Sequence, residues 1–558
     1  MEPLDPDLPR ALASPAAHPE DPGAAEGVET LQTHISHVFL TREKVYKLRK
    51  AVRLPFLDFS TRRARDEDCV RELQLNRRLS PDVYLGVAPV RREVGGIRVG
   101  APVEELEPGA AVLEHCVVMR RLPSGRDALS LLQAGTLTRG QLDAVAGVLA
   151  RFHDTHRLGA PAPWSAAEWR DRMARPLRDC IDVLVGLEAP EADAARLERI
   201  SQRERLRFEA LGSAFERRRQ AGRAVDGHGD VHLQHVWFER DDEPLLVDCI
   251  EFDAQLRQID VAAEVAFLAM DLAYRGRGDL AERFLRSYAQ ESDDFDLYSV
   301  VDYHVAYRAL VRAKVAALAA VDRAISEDQR RAAHGSARRH LALAEEILSA
   351  PGPGSLVLLC GSVGSGKSSL AAAWADAAGG SLVSSDRTRK RLAGLAPTDR
   401  SGSELGQGLY DPLHSDRVYQ GLLERAAPVL DSGRVVVLDA AFLEASRRQH
   451  VRCWARRRGV SVFLLEARCE ASVARERLRR REQQGTDPSD AGPDLLDWSR
   501  QQLEAPDEWP AQSRWVVATD APGWRDEVPG LVQRLFPHGS REGGLASFLH
   551  PSETGGSP

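Results

Sequence analysis

A glycine-rich octapeptide restricts the second half of this chain more than any other feature. Residues 361–368 read GSVGSGKS, directly after the apolar run LVLLC and directly before the helical run SLAAAWADAA. The pattern is G-x-x-x-x-G-K-[ST], whose glycines let backbone N–H groups face a phosphate while the helix N-terminus adds its positive dipole end. The segment predicts a phosphate-binding loop, and a plain glycine-rich turn is the alternative interpretation.

Two side chains of this loop extend the prediction to ATP and Mg²⁺. Lys367 is placed to reach the β- and γ-phosphates, and Ser368 offers its hydroxyl to Mg²⁺. Only six of the 75 basic residues are lysines; biased codon usage explains such a ratio, but so does a need for a compact ammonium at a few sites. The ATP-binding residues predicted in this segment are Gly361, Ser362, Val363, Gly364, Ser365, Gly366, Lys367, Ser368 and Ser369.

The sequence around the loop predicts an α/β P-loop NTPase fold with a parallel sheet. Short apolar segments alternate with helical stretches; they read LVLLC, SLVSS, RVVVLDA, VSVFLLEA and RWVVATD. Continuous apolar strands separated by helices indicate a parallel sheet that is buried on both faces. PGPGS at residues 351–355 reads as a linker, so we predict a P-loop domain over residues 355–537.

Two aspartates at predicted strand ends are candidates for chemistry in this domain. Asp386 follows SLVSS, and Arg389 lies one turn into the next helix. A carboxylate there can accept a proton from an acceptor hydroxyl while arginine holds an anionic group. Asp439 ends RVVVLD and is a candidate Mg²⁺ ligand. The alternatives are that Asp386 caps its helix and that Asp439 is structural.

An arginine-rich helix further along is a candidate lid. Arg477 and Arg481 are four residues apart on one helix face, and a polar loop with Asp487 and Asp490 follows. Cations that close over a transferring phosphoryl group, together with a mobile loop, are what such a lid needs. A solvated helix face or a nucleic-acid patch remains the alternative.

The segment over residues 355–535 resembles P-loop kinases of the AAA-type, polynucleotide-kinase, zeta-toxin and gluconate-kinase class. The resemblance lies in GSVGSGKSSL, SSDRTRKRL, VVVLDAAFL and the RLRRR…DPSDA stretch. It implies that Asp386 is the catalytic base and that Arg389 is a cation on the acceptor side. It does not name the acceptor.

The first half carries a different set of residues suited to phosphoryl transfer. Asp230 lies in HGDVHLQH, and Asp248 follows in VDCIEFD; one carboxylate can orient an acceptor hydroxyl while the other binds Mg²⁺. Upstream, Lys47 alternates with apolar neighbours in VYKLRK, and Glu72 sits on a predicted helix where it can pair with that lysine. A solvent-facing Lys47 is the alternative.

Residues 30–345 resemble the aminoglycoside phosphotransferase and choline-kinase-like family, relatives of the protein kinases. The resemblance implies an α+β protein-kinase-like fold in which Lys47 binds ATP with Glu72 as its partner, Asp230 is catalytic and Asp248 binds the metal. The order of motifs also resembles bacterial two-domain proteins that fuse such a module to a P-loop kinase. One departure is His235, which stands where the family usually has an asparagine ligand for Mg²⁺; a transition metal held by Asp230 and the neighbouring histidines is an alternative.

Charge and composition restrict partners and compartment. The net charge of −8 offers no overall field for a polyanion, so nucleic-acid binding is not expected. Apolar runs are far shorter than the roughly 20 residues that cross a bilayer. The acidic, proline-rich start and seven scattered cysteines favour a cytoplasmic protein. We predict disordered tails over residues 1–28 and 538–558 and a kinase-like domain over residues 29–350.

Together these observations predict a bifunctional ATP-dependent phosphotransferase that acts on small hydroxylated acceptors and uses Mg²⁺. Two alternatives stay open at this point. One is a regulatory or sensor protein whose degenerate kinase-like half controls a P-loop ATPase or kinase. The other is a nucleic-acid end kinase in the second half. The acceptors and the oligomeric state do not follow from the sequence.

Overall fold

The fold is that of a computed structural model, which describes residues 2–54, 57–106, 111–187, 191–396, 399, 409, 411–484, 489, 492–536 and 545. The helices are α1 (Leu8–Leu12), α2 (Arg62–Asn76), α3 (Ala128–Gln133), α4 (Arg139–Thr155), α5 (Ala166–Gly186), α6 (Glu191–Ala210), α7 (Gly212–Gln220), α8 (Val261–Tyr274), α9 (Gly278–Ser292), α10 (Val301–Val321), α11 (Glu327–Ile347), α12 (Lys367–Ala378), α13 (Ser385–Leu392), α14 (Pro412–Asp431), α15 (Ala445–Arg457), α16 (Ala471–Gln484), α17 (Leu495–Gln501) and α18 (Trp524–Leu535). The strands are β1 (Glu29–Gln32), β2 (Ser36–Leu40), β3 (Lys44–Arg49), β4 (Arg53–Leu54), β5 (Leu57–Asp58), β6 (Tyr84–Glu93), β7 (Gly96–Val99), β8 (Val112–Arg120), β9 (Ala224–Asp226), β10 (Val236–Arg240), β11 (Glu243–Leu246), β12 (Gln258–Asp260), β13 (Ser355–Cys360), β14 (Ser381–Ser384), β15 (Val435–Asp439), β16 (Ser461–Arg468) and β17 (Arg514–Ala518). None of these described helices combines the length and the apolar character needed to cross a membrane.

The chain forms two compact units that do not divide at the predicted boundary near residue 350. The first unit comprises Met1–Ala162 and Gly222–Leu268, and the second comprises Pro163–Ala221 and Ala269–Pro558. The second unit therefore contains helices of the predicted first domain as well as the P-loop segment. The sequence predicts a boundary at the proline- and glycine-rich linker. In the structure, the helices before this linker and the P-loop segment after it pack into the same unit.

The first unit is built around a six-stranded antiparallel sheet in the order β1-β2-β3-β8-β6-β7. Strand β3 lies inside this sheet, where Lys47 pairs with Val38 on β2 and Val117 on β8. Helix α2 packs against β6 and β8 and carries Glu72. The sheet and the helix thus bring a strand lysine and a helix glutamate to the same side.

The predicted disordered tail over residues 1–28 is wrong for its central part. Helix α1 forms there, and its Leu8 and Leu12 are fully buried in a cluster with Phe39 and Ile97. The two leucines are four residues apart, so they share one helix face; a single turn is too short to show as periodicity in a proline-rich segment. The predicted tail over residues 538–558 lies outside the described residues except for position 545.

The second unit contains the predicted parallel sheet, with five strands in the order β14-β15-β13-β16-β17. From β13 the chain continues to β14 and β15 on one side and then to β16 and β17 on the other. Ligands of open parallel sheets bind beside the carboxyl ends of the strands at such a reversal. The fully buried Trp374 of α12 packs against Val437 and Val528 beneath this edge.

Buried ion pairs fix the helices α9 and α10 to this sheet. Arg434, directly before β15, donates to both carboxylate oxygens of Glu282 on α9 at 2.9 and 3.0 Å. It also donates to both oxygens of Asp302 on α10 at 2.7 and 2.9 Å. The Arg434 side chain is 1% exposed. One guanidinium therefore binds buried carboxyl groups from two helices.

We expect Arg434→Met to destabilise the second unit by about 3–5 kcal/mol, because it leaves Glu282 and Asp302 buried without a counter-charge. Urea unfolding at neutral pH measures this loss. The control is Arg331→Met on α11, whose ion pairs are exposed and whose loss should stay within about 0.5 kcal/mol. Adding Glu282→Gln and Asp302→Asn to Arg434→Met should recover part of the loss. Equal effects of Arg434→Met and the control would contradict the explanation.

Candidate active sites

The candidate site of the first unit begins with two basic residues on β3. Strand residues alternate between faces, so Lys47 and Arg49 lie on the same side. The Lys47 ammonium lies 2.9 Å from Glu72 Oε1 and 2.7 Å from Asp248 Oδ1, and its side chain is only 13% exposed. Burial alone would lower the pKa of Lys47, but the carboxylates of Asp248 and Glu72 outweigh burial and raise it. The alternative of a solvent-facing Lys47 is wrong.

Sequence reasoning missed Arg49, which holds Glu72 from the other side. Its guanidinium donates to Asp68 Oδ2 at 2.7 Å, to Glu72 Oε2 at 2.6 Å and also to Glu251. Burial raises the pKa of Glu251 to about 8 although Arg49 acts in the opposite direction. Lys47 and Arg49 hold the two oxygens of Glu72, so this carboxylate has a single orientation. The alternation Lys-x-Arg on one strand was the available signal.

Asp248 occupies a strained position at this site. Its φ of 64° lies in the left-handed region, which is uncommon for residues other than glycine. Its N–H donates to Tyr84 Oη at 3.1 Å, which fixes the turn. Burial would raise the pKa of the Asp248 carboxyl, but the charges of Lys47 and His235 outweigh it and lower the pKa well below its usual range. The side chain is thus an oriented carboxylate.

The predicted catalytic loop brings Asp230 close to Asp248 through one histidine. His235 Nδ1 lies 2.9 Å from the backbone oxygen of Asp230 and 3.4 Å from its Oδ2. On the other side of the ring, His235 Nε2 lies 3.5 Å from Asp248 Oδ2. His232 Nε2 lies 3.6 Å from Asp230 Oδ2. The structure therefore places the candidate base and the candidate metal ligand on opposite sides of the same imidazole.

Sequence reasoning also missed Glu264 of α8, which holds this loop from below. Its two oxygens accept the backbone N–H groups of His228 at 2.5 Å and Gly229 at 2.9 Å. Burial would raise the pKa of Glu264, but the neighbouring His153 and the N–H of His228 lower it to about 2. His228 pairs through Nε2 with the backbone oxygen of Val247 at 2.9 Å, so this histidine serves the loop structure.

In the second unit, the phosphate-binding loop adopts the curled backbone that its glycines allow. Gly361, Gly364 and Gly366 have φ of 149°, 76° and 84°, values that side chains disfavour. A Cβ on Gly361 would lie 2.6 Å from the backbone oxygen of Ala467, and one on Gly366 would lie 2.7 Å from Thr519 Oγ1. Glycine is therefore required by close approach as well as by conformation.

Lys367 is the first residue of α12 and extends back along the loop. Its ammonium donates to the backbone oxygen of Ser362 at 2.7 Å. Burial lowers the pKa of Lys367 below its ordinary value, although the carboxylates of Asp439 and Asp386 act in the opposite direction. The loop thus holds an ammonium close to two acidic side chains.

A cavity of about 560 Å³ lies at the carboxyl edge of the parallel sheet. Most predicted residues of the second half line it: Val363, Gly364, Gly366, Lys367, Ser368, Ser369, Asp386, Arg389, Asp439, Arg477 and Arg481. The other three loop residues, Gly361, Ser362 and Ser365, shape the backbone behind it. The glycine-rich segment therefore forms part of a cavity wall that also contains Lys367 and Ser368.

Asp386 faces the cavity instead of capping its helix. It is the second residue of α13 and lines the cavity, whereas the N-cap position is Ser384, whose side chain makes no capping hydrogen bond. The guanidinium of Arg389, 9% exposed, donates to the backbone oxygen of Leu409 at 2.7 Å. The carboxylate and the guanidinium therefore come from one short helix at the end of β14.

The candidate lid residues of α16 border the same cavity. Arg477 donates to Thr519 Oγ1 at 3.0 Å and to the Thr519 backbone oxygen at 2.8 Å, so this arginine is anchored to the end of β17. Arg481, one turn later, lines the cavity as well. Both arginines therefore border the cavity, which a helix face exposed only to solvent would not do. Asp487 and Asp490 of the predicted mobile loop lie outside the described residues.

Sequence reasoning also missed other residues that line the cavity, among them Tyr419, Arg447 and Thr519. Tyr419 and Arg447 come from α14 and α15 and stack, with the guanidinium carbon 4.3 Å from the ring centroid. Thr519 follows β17 directly. The position of Thr519 at a strand end was a usable signal, since all five strand ends meet at this edge. Nothing in the helical stretches around Tyr419 and Arg447 points to the cavity.

The comparisons with known proteins define the class of each half. A family model described as phosphotransferase enzyme family matches residues 49–303, and one described as AAA domain matches residues 356–506. The chain thus joins an N-terminal kinase-like phosphotransferase domain to a C-terminal P-loop kinase domain, as its motifs predicted.

Relatives are found in mycobacteria. The uncharacterized proteins Rv2004c and MT2060 of Mycobacterium tuberculosis and Mb2027c of Mycobacterium bovis are each 34% identical to it over 458 residues, which cover 80% of this chain and 84% of each relative. The chain belongs to the family of these proteins.

Solved structures also resemble each half. A choline/ethanolamine kinase family protein from Mesorhizobium loti is 16% identical, covers 61% of this chain and 99% of its own, and has a TM-score of 0.34. A gluconokinase from Sinorhizobium meliloti is 22% identical, covers 33% of this chain and 97% of its own, and has a TM-score of 0.24.

We expect Glu264→Gln to lower the free energy of unfolding of the first unit by about 1.5–3 kcal/mol at pH 7, because a carboxylate that accepts two buried N–H groups is lost. The stabilisation is fully present above the ordinary carboxyl pKa of 4.5 and is lost as the pH falls toward about 2. The difference from the wild type should therefore shrink over that window. Urea unfolding at several pH values measures it.

The matched control for this experiment is Glu67→Gln, which makes the same change on an exposed position of α2. It should change stability little at any pH. A difference between wild type and Glu264→Gln that stays constant from pH 7 to acid conditions would show that the charge of Glu264 is not what holds the loop.

Proposed function

We propose that this protein is a bifunctional ATP-dependent phosphotransferase, in which each half transfers the γ-phosphate of ATP to a small hydroxylated acceptor. The observation that carries the proposal is the cavity of the second unit. It brings an ammonium, a strand-end carboxylate, a second carboxylate on a helix and several guanidinium groups, among them those of Arg389, Arg477 and Arg481, to one phosphate-binding loop. Kinase-family domains in both halves support it.

In the second half, the loop amides and Lys367 hold the polyphosphate. Asp386 accepts the proton of the acceptor hydroxyl as the acceptor oxygen bonds to the γ-phosphorus and ADP leaves. Arg389, from the same helix, holds an anionic group of the acceptor. Arg477 and Arg481 balance the negative charge of the transferring group. Each step uses a group that lines the cavity.

Mg²⁺ fits this half. Ser368 offers a hydroxyl and Asp439, 8% exposed, offers a carboxylate beside the same loop; oxygen ligands are those that Mg²⁺ prefers. When bound with ATP, the ion neutralises charge on the phosphate oxygens.

In the first half, Lys47 binds the phosphates of ATP and Glu72 fixes its position. Asp230 orients the acceptor hydroxyl and takes its proton. Mg²⁺ fits this half less well, because His235 presents nitrogen beside Asp248 where an oxygen ligand is expected.

His235 also favours a second candidate function, in which the first half binds a ligand and regulates the P-loop domain without transferring phosphate. The His235 ring lies between the carboxyl groups of Asp230 and Asp248, so it can contact both in place of a metal ion. Thermal stabilisation by ATP that needs no divalent cation would support this function. Stabilisation that requires a cation supports a catalytic first half.

We expect the full-length chain to bind two ADP molecules and Lys367→Ala to bind one, because the loop loses the ammonium that contacts the phosphates. Titration calorimetry with ADP and Mg²⁺ counts the sites. ADP release by the second half should fall at least about 100-fold. Lys314→Ala, on α10 and outside the cavity, should leave both sites intact. Two sites and unchanged turnover in Lys367→Ala would refute the assignment of the loop.

We expect Asp230→Asn, made in Lys367→Ala protein, to reduce the remaining ADP release by about 10²–10⁴-fold, because the acceptor hydroxyl loses its general base. The assay is ADP release with pooled small hydroxylated metabolites. ADP binding should persist, since Lys47 is unchanged. Asp242→Asn, at the exposed turn between β10 and β11, is the control. Residual transfer at an undiminished rate would contradict the role of Asp230.

The same assay distinguishes the proposed function from the remaining alternative, a nucleic-acid end kinase. Phosphate transfer to 5′-hydroxyl oligonucleotides that Lys367→Ala abolishes would favour it. Transfer to small metabolites alone favours the proposed function.

A further inference from the structure

Helix α9 precedes the linker in the chain, yet its C-terminal end binds two helices that line the cavity of the second unit. These are α13, which supplies Asp386 and Arg389, and α14, which supplies Tyr419. We propose that Glu291 and Asp293 at the end of α9 position these two helices and so set the distance between the acceptor-side groups and the phosphate-binding loop. The inference rests on the proposed function of the second half and deepens it.

Helix α13 presents one face to the cavity and another face to α9. Asp386 and Arg389 are three residues apart, and both line the cavity. Arg387 and Arg391 are four residues apart on another face, and both bind the last turn of α9. Because α13 has only eight residues, about two turns, the contacts of one face determine where the other face points.

The last turn of α9 offers carbonyl oxygens that have no partner within the helix. Arg387 donates to the backbone oxygen of Gln290 at 3.2 Å, and Arg391 donates to that of Glu291. Arg387 also donates to Glu291 Oε1 at 2.9 Å. The negative end of the helix dipole strengthens this attraction. The end of α9 therefore binds two guanidinium groups of α13.

Helix α14 is held by Asp293, the residue that ends α9. Arg425 of α14 donates to both carboxylate oxygens of Asp293, at 2.8 and 2.6 Å. Such a bidentate pair fixes direction as well as distance. Helix α14 also packs closely on α13, since a Cβ on Gly421 would lie 3.1 Å from Thr388 Cγ2. The two helices therefore form a pair that α9 binds at two points.

The preceding turns of α9 bind the phosphate side of the same cavity. Arg283 donates to Asp376 Oδ1 at 2.8 Å, and Arg286 donates to the same carboxylate; Asp376 lies on α12, the helix that follows the phosphate-binding loop. Gln290, on the same face of α9, donates to the backbone oxygen of Leu382 in the edge strand β14 at 3.0 Å. One helix thus connects the phosphate-binding helix to the acceptor-side helices.

This connection matters for the proposed reaction because phosphoryl transfer depends on the position of the acceptor hydroxyl relative to the γ-phosphorus. A misplacement of about 1 Å can slow such a reaction about 100-fold. Helix α9 also lies within residues 49–303, which the phosphotransferase family model matches. Transfer by the second half therefore depends on a helix that belongs to the N-terminal family domain.

The test uses full-length protein that carries Asp230→Asn, so that the first half is impaired. Asp293→Asn removes the charge that binds α14 but keeps a side chain that tolerates the left-handed backbone, where φ is 54°. ADP release with ATP, Mg²⁺ and pooled small hydroxylated metabolites should fall about 10–100-fold. The affinity of the second site for ADP, measured by calorimetry, should stay unchanged, because the loop and α12 are unaltered. The control is Asp328→Asn on α11, 91% exposed, which should change neither quantity.

An exchange of charges tests the contact with α13. Glu291→Arg places a third cation beside Arg387 and Arg391 and should lower ADP release in the same way. Adding Arg387→Glu should recover much of the release, because the pair forms again with its charges exchanged. If Glu291→Arg fails to fold, as judged by circular dichroism, Asp293→Asn decides. Unchanged release in Asp293→Asn, or a loss of release matched by a loss of ADP affinity, overturns the inference.

Hydrogen exchange separates this inference from the proposed function. In Asp293→Asn, the backbone amides of α13 and α14 should exchange faster, while those of α12 keep their rate. If no metabolite stimulates ADP release by the parent protein, the proposed function of the second half fails, and equal exchange of α13 and α14 in the two proteins would then refute the positioning. If the parent transfers phosphate and Asp293→Asn does so at the same rate, the positioning is refuted and the proposed function stands.

Discussion

The pairing of buried cations with carboxylates is the interaction on which both halves of this structure depend. Lys47 and Arg49 share Glu72 on opposite sides, and Arg434 joins Glu282 to Asp302. A charge removed from water is costly unless a partner compensates it. Each network therefore fixes the elements that supply its members: a strand and a helix in the first unit, two helices and a sheet in the second.

The two candidate sites use this constraint in different ways. In the first half, Lys47 already has two carboxylate partners, so any phosphate that approached its ammonium would have to compete with both. In the second half, Lys367 donates to a backbone oxygen and lies near two carboxylates at a cavity wall. A phosphate can replace a single neutral hydrogen bond there. This difference makes Lys367 a better candidate than Lys47 for binding a phosphate.

The sequence revealed the site residues that belong to a local motif. It did not reveal those whose role depends on partners far away in the chain. The phosphate-binding loop, Asp386 and Asp439 follow from strand ends and glycine spacing, and the cavity brings them together. Glu251 and Glu264 resemble ordinary surface charges in the sequence, because nothing local reveals which buried donor a carboxylate meets. Arg49 was marked only by its alternation with Lys47 on one strand. Helix α1 was missed for a related reason: a single turn buries two leucines only because a sheet lies beneath it.

The sequence by itself determined the parallel sheet and the glycine-rich loop of the second half, because these depend on local conformation and on the periodicity of apolar residues. The kinase-like fold of the first half followed from the resemblance of its motifs to a known family. Only the tertiary structure decided where the chain divides and what surrounds each charge. The linker at residues 351–355 reads as a boundary, yet Arg434 ties helices from before the linker to the sheet after it. Ion pairs between distant residues carry no local pattern, so folding alone determines them.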